Sequence, residues 1–157
     1  MNTILPPELG MSEVFRFPGI RTIKPQSVGE HSYRMAMLAI RFSDDLKYNG
    51  LIVDTNDLVT RCIVHDYPER YTNDIPRPFK YRSETFHEMI TSLERDCLGD
   101  SQFEQFRIEQ ILNCKDFDSA EGFLCHYLDN YECSLYVYQE LKLGNRLLYD
   151  EYKDGLT

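Results

Sequence analysis

Apolar residues recur at spacings of three and four along nearly all of this chain, and no segment alternates with a period of two. That pattern commits the polypeptide to amphipathic helices packed on one another and leaves no material for a sheet. The stretch "SVGEHSYRMAMLAIRFSDDL" (27–46) opens with Ser27 and Glu30 at capping-box spacing, then places His31, Met35, Leu38 and Phe42 on one face. "DTNDLVTRCIVHD" (54–66) offers Asp54 or Thr55 as N-cap and aligns Leu58, Cys62 and His65. Pro68 disfavours a helical Tyr67, so this helix is expected to end or kink at His65-Asp66. A third helix is predicted over 83–100, capped by Ser83 and closed near Gly99, and a fourth over 101–113 with a Ser101/Glu104 capping box. A long last helix is expected from about Asp118 to Leu143, stopped by Gly144-Asn145, with a further turn or two in the tail "RLLYDEYKDGLT". The expectation is a single all-α domain over 1–157, long enough to close its own core.

Charge narrows the partners. The formal net charge is -9, which speaks against a duplex nucleic-acid surface. Residues 1–82 hold 11 Lys and Arg against 10 Asp and Glu, whereas residues 83–157 hold 6 against 16, so a small anionic ligand belongs with the first half. No apolar run reaches the ~18–20 residues of a membrane span, and "MNTILPPELGMSEVF" has no basic n-region, so neither a membrane segment nor a signal peptide is expected. Five cysteines, odd in number and without a CxxC pair, favour reduced thiols in a cytoplasm.

Against that apolar pattern, three polar positions face the wrong way. His31 shares its stripe with Met35 and Leu38, His65 with Leu58 and Cys62, and Asp129 sits four residues from both Cys125 and Cys133. A lone inward histidine is more often a satisfied core residue than a ligand. A buried carboxylate, however, costs several kcal/mol without a partner, so Asp129 requires a cation, a donor cluster or a metal. Two imidazoles and two carboxylates (Asp66 being the second) from three helices make an octahedral N/O site with open positions. The segment "VHDYPERYTNDIPRPFKY" (64–81) carries too much charge for a plain connector. A helix ending at the doublet lets His65 and Asp66, otherwise about 100° apart, turn toward one ion.

In order and spacing, His31, His65-Asp66 and Asp129 resemble the HD-domain metal phosphohydrolases, and more closely their YfbR-type 5′-deoxynucleotidases. "RFPGIRTIKPQSVGEHS" (16–32) is similar to that family's Arg-aromatic-Pro segment and helix start. "HDYPERYTNDIPRPFKY" (65–81) is similar to its HDxxE and Pro-x-Lys-Tyr loop, and "LDNYECSLYVYQELKLGN" (128–145) to its last helix. The resemblance implies an HD-domain bundle of about five to seven helices. It implies His31, His65, Asp66 and Asp129 as ligands of one divalent transition metal (Co, Mn, Zn or Fe), with an additional Mg alongside a polyphosphate. Glu69 would act on the attacking water and Asp74 near the leaving ester oxygen. Arg16 and Lys80 would contact phosphate and Phe17 would stack near the deoxyribose; Arg77 and Pro78 are further expected substrate contacts, and a purine pocket is expected near Phe17, Gly19 and Ile20. Two positions depart from the pattern: the family's Trp is Phe17, and a Lys often found three residues before the final Asp is His126.

The short chain is also similar to small phage-encoded dATP triphosphohydrolases. With Arg77, Lys80 and Arg82 clustered, the expected substrate is dATP, cleaved by water at the α-phosphorus to deoxynucleoside and triphosphate. The alternative is a 5′-deoxynucleotidase releasing phosphate from a deoxynucleoside monophosphate. A homo-oligomer, dimer or hexamer, is implied by the same resemblance.

Overall fold

The computed structural model describes residues 7–80, 82–101 and 103–152; the side chains of Arg77 and Pro78 lie outside what it describes, as do those of 7–9 and 151. A 3-10 helix, Pro7–Glu13, precedes α1 (Val28–Tyr48), α2 (Thr55–Val64), α3 (Glu69–Thr72) and α4 (Arg77–Lys80). Then come α5 (Glu84–Gly99), α6 (Gln105–Leu112), α7 (Ala120–Lys142) and α8 (Leu147–Tyr152). Among the described residues the only β feature is an isolated antiparallel bridge between Phe15 and Ser27, so the fold is an all-α bundle. No helix among them is long and apolar enough to cross a membrane.

The helices start where side-chain caps dictate. Ser27 accepts from the Glu30 amide, Asp54 from Asn56 and Asp57, Ser83 from Phe86, and Ser119 from Gly122. Each cap satisfies an amide that the first turn leaves without a helical partner. At α6 the expected box does not form: Glu104 is the cap residue without a side-chain bond, while the Ser101 hydroxyl donates to the Leu98 carbonyl at the end of α5. Terminating one helix won over starting the next. Residues 69–80, for which the sequence predicted no helix, contain the two four-residue helices α3 and α4.

Packing divides into three apolar clusters. The central one, Met35, Ala39, Val53, Leu58, Cys62, Cys125 and Leu128, locks α1, α2 and α7 together. At roughly 1.5–3 kcal/mol for each fully buried large side chain, this triangle is the rigid part of the molecule. His31, His65 and Asp129 follow or precede its members by one turn, so they gather at one end of it. A second cluster, including Val28, Tyr67, Leu98 and Ile111, seats α5 and α6 beside the His65-Asp66 turn. The third joins Phe17 to Tyr136, Val137 and Leu148. Of the tyrosines on α7, Tyr136 is core whereas Tyr127, Tyr131 and Tyr138 remain exposed.

Candidate metal centre

Pro68 explains the geometry of the doublet. The amide of His65 still bonds Arg61 O at 3.0 Å, but Tyr67 N takes Val64 O at 3.0 Å, the acceptor that a residue-68 amide would need and proline lacks. The chain leaves the α2 ladder at His65, and the Asp66 carboxylate swings back until Oδ2 lies 2.9 Å from His65 Nε2. His65 Nδ1 sits 3.0 Å from the Cys62 carbonyl, which only accepts, so Nδ1 carries the proton and Nε2 presents its lone pair to the site. His31 is fixed in the same sense, with Nδ1 2.6 Å from Glu132 Oε2. Arg16 Nη1 is 2.9 Å from that same ring nitrogen, but both are donors; they converge on Glu132, which Arg16 reaches at 3.2 Å. Gln26 Nε2 donates to the other Glu132 oxygen at 2.7 Å.

Both Nε2 atoms therefore face inward, 3.3 Å apart. Asp129 Oδ1 lies 3.2 Å from His31 Nε2 and 4.0 Å from His65 Nε2, and Asp66 Oδ2 lies 3.7 Å from His31 Nε2. Ligand bonds of about 2.0–2.2 Å set neighbouring donors roughly 3 Å apart and opposite ones roughly 4 Å apart. His31, His65 and Asp66 alone bring one ligand atom each within 4.8 Å of one another. Two imidazole nitrogens and two carboxylate oxygens thus fit a divalent cation of the first transition row.

The electrostatics support ionised carboxylates. Burial alone would raise the Asp129 pKa, but Lys115 and a hydrogen bond with His31 hold it well below the usual range. Asp66 is likewise driven down against burial by His65 and Lys115. Burial pushes His65 down, toward the neutral, ligating form. At His31, burial and Arg16 act downward, but Asp129 and Glu132 outweigh them and leave the pKa raised.

The doublet also borders a cavity of about 330 Å³, lined by His65, Asp66, Glu69, Lys80, His87 and Lys115 among others. Glu69 opens α3 and is pushed well above the ordinary carboxylate range by burial, then by Asp66 and Asp74. Asp74 is raised by burial, partly offset by the Phe17 amide, which donates to its Oδ2 at 2.7 Å. That hydrogen bond is flanked by two non-glycine residues in the left-handed region, Phe17 (φ 60°) and Asn73 (φ 58°). Such conformations cost of order 1–3 kcal/mol and persist where the surroundings impose them, as at functional sites.

The structure thus brings His31, His65, Asp66 and Asp129 together, with Glu69 beside His65 and Asp66 on the cavity wall and Asp74 near enough to raise the Glu69 pKa. The Phe17 ring does not reach the cavity: it is 5% exposed, stacked on Tyr136 at 5.4 Å and edge-on to Tyr152 at 5.3 Å, and its backbone is what serves the site. Exposed Gly19, at φ 86°, and Ile20, packed on the Phe17 cluster, do not line the cavity either. Lys80 does, paired with Glu94 at 2.9 Å. Arg16 is buried behind His31.

Sequence reasoning missed Lys115 and Glu132. Lys115 Nζ lies 2.7 Å from Asp129 Oδ2 and 3.6 Å from Asp66 Oδ1, and these anions keep its pKa raised despite burial. It sits on the α6–α7 loop, where no periodicity could reveal it. The loop lies close against α7 because Gly122 has no side chain; a Cβ there would collide with the Asp116 carbonyl. Glu132 had a signal: with Asp129, Tyr136 and Glu140 it falls on one helical stripe, and all four are buried.

The 5′-deoxynucleotidase YfbR-like family matches residues 9–156. A 5′-deoxynucleotidase of Photorhabdus laumondii is 26% identical over 139 residues, covering 83% of this chain and 69% of that one. A 5′-deoxynucleotidase of Vibrio cholerae is 26% identical over 144 residues, 86% and 73% of the two chains. Among solved structures, an HD-domain phosphohydrolase of Listeria innocua matches with a TM-score of 0.80 at 23% identity, over 96% of this chain and 75% of that one. A conserved hypothetical protein of Pyrococcus furiosus follows the same fold with a TM-score of 0.75 at 21% identity, over 90% and 85%. The match runs through His31, His65-Asp66 and Asp129, from residue 9 to residue 156, and the chain belongs to the 5′-deoxynucleotidase YfbR-like family.

Proposed function

We propose that this protein is a metal-dependent 5′-deoxynucleotidase, converting a deoxynucleoside monophosphate and water to deoxynucleoside and phosphate. The observation that carries this reading is the cluster of His31, His65, Asp66 and Asp129, of which His65 and Asp66 border a small cavity whose described lysines are ion-paired, Lys80 with Glu94 and Lys115 with Asp129. The triphosphate expected from the sequence rested on free cations at 77, 80 and 82. Lys80 is neutralised by Glu94, Arg82 is exposed, and the Arg77 side chain is outside the described residues. The cavity is also near the lower end of the ~300–1,000 Å³ typical of small-molecule sites. The names of the relatives point the same way.

Held by His31, His65, Asp66 and Asp129, a divalent cation (Mn, Co, Fe or Zn) would supply Lewis acidity toward water and a phosphoryl oxygen. Glu69, one turn beyond the doublet, accepts the proton of the attacking water; burial, Asp66 and Asp74 raise its proton affinity above that of an ordinary carboxylate. The water oxygen bonds to phosphorus as the P–O5′ bond breaks. Asp74, whose pKa burial raises, delivers a proton to the departing 5′-oxygen. Lys80, with Glu94 beside it, lines the cavity where the phosphate would sit, and Arg16 acts from behind His31 through Glu132. The five cysteines, none of them in a disulfide, suit a reducing cytoplasm. A homo-oligomer belongs to the same reading, checked by light scattering.

Incubation of the protein with Mn²⁺ or Co²⁺ and, separately, dAMP and dATP tests the proposal. Phosphate and deoxyadenosine from dAMP are expected. Release of triphosphate from dATP with none of phosphate from dAMP would restore the triphosphohydrolase.

A further inference from the structure

The two carboxylates of the centre divide their oxygens in the same way. Asp129 turns Oδ1 to His31 Nε2 at 3.2 Å and gives Oδ2 to Lys115 at 2.7 Å. Asp66 turns Oδ2 to His65 Nε2 at 2.9 Å and leaves Oδ1 3.6 Å from the same ammonium. One cation from the α6–α7 loop thus faces the outer oxygen of both acids, on the side where it lines the cavity.

We propose that Lys115 is a positioning residue that holds Asp66 and Asp129 to one metal-facing oxygen each, and so keeps coordination positions open on the cavity side for water and a phosphate oxygen. The reasoning is a count of positions. Four single-atom ligands leave two sites of an octahedral ion free, whereas a carboxylate that rotates to present both oxygens closes one. The guanidinium of Arg16, by contrast, bonds Glu132 and Gln26 on the far side of His31. The loop is anchored independently, since Arg61 on α2 bonds Asp116 at 2.7 Å as well as the Asn113 carbonyl at 3.0 Å. Removing the Lys115 head group therefore leaves the backbone in place.

The inference rests on the metal-dependent reading above but not on the nucleotide hydrolysed. Its test is the water-proton relaxation enhancement of the Mn²⁺-loaded protein, which reports exchangeable waters on the ion. Lys115→Met is expected to bind Mn²⁺ at the wild-type stoichiometry with a lower enhancement per bound ion, and to lose roughly 10- to 100-fold in turnover. Lys115→Arg, whose fork can hold two carboxylate oxygens, is expected to restore most of the enhancement. An unchanged enhancement in Lys115→Met overturns the proposal. So does equal loss in the Met and Arg variants, which would assign the effect to packing, or failure of Lys115→Met to bind Mn²⁺, which would make the ammonium a requirement for ligation itself. Absence of dAMP hydrolysis with an enhancement that follows these expectations would reject the substrate and leave the clamp standing.

Discussion

Carboxylates around the centre behave in opposite ways. Asp66, Asp129 and Glu132 are held below their ordinary pKa; Glu69 and Asp74 are raised above it. Burial acts upward on all five. The difference lies in the balance: imidazoles with Lys115 or Arg16 outweigh burial at the first three, whereas at Glu69 burial is reinforced by Asp66 and Asp74, and at Asp74 it outweighs the Phe17 amide and Arg16. A single fold thereby maintains permanent anions for a cation and, a few ångströms away, groups able to gain and lose a proton. Separation of paired acids by environment is the general route to acid–base chemistry near neutral pH.

The strongest way to break this contrast is on the anionic side. Asp129→Ala removes a ligand and leaves Lys115 without its closest partner, so metal content by elemental analysis should fall from equimolar to near zero and turnover to background. Loss of one member of a buried pair also costs about 3–5 kcal/mol, measurable by urea unfolding. Full metal occupancy in this variant would remove the assignment.

On the cavity side the expected effect is smaller and differently distributed. Glu69→Gln should lose roughly 10²–10⁴-fold in kcat while metal content stays equimolar. The same variant reads the environment directly. Because the folded Glu69 pKa is raised, the metal-free native protein retains a proton that the unfolded chain releases. Its stability therefore declines as pH climbs from the ordinary value near ~4.3 toward the raised one, and the Gln variant lacks that decline. Parallel melting-temperature curves for the two proteins would contradict the contrast.

The least effect is expected at Asp116, an acid in contact with solvent that shares the depressed direction without the burial. Its hydrogen bond with Arg61, helped by Ser119, lowers its pKa to about 2. Asp116→Asn should destabilise by about 1 kcal/mol at neutral pH. That contribution is present above the ordinary carboxylate pKa and lost as pH falls toward about 2, so the two proteins should converge in acid. A constant difference down to pH ~2 would show that packing, not charge, is responsible.

Much of this was legible before any coordinates. His31, His65 and Asp129 betrayed themselves by lying on apolar stripes, and Pro68 by stopping α2 at the doublet. Lys115 did not, because a loop residue has no face to violate. The Phe17 ring was assigned to the sugar by its neighbour Arg16, but Tyr136 and Tyr152, distant along the chain, offered it a dry stack instead. Ser101 and Glu104 have capping-box spacing, yet the Ser101 hydroxyl donates to the Leu98 carbonyl and accepts from the Phe103 amide rather than from Glu104.

Local chemistry alone determined the helices, their caps and the inward tilt of the ligands, since those depend on spacings of three and four within one segment. Which cation would neutralise the acids, which rings would be buried and where the cavity would open were decided only by tertiary packing. Those outcomes depend on how α7 and its preceding loop close over α2, an approach that Gly122 permits and that no single segment encodes.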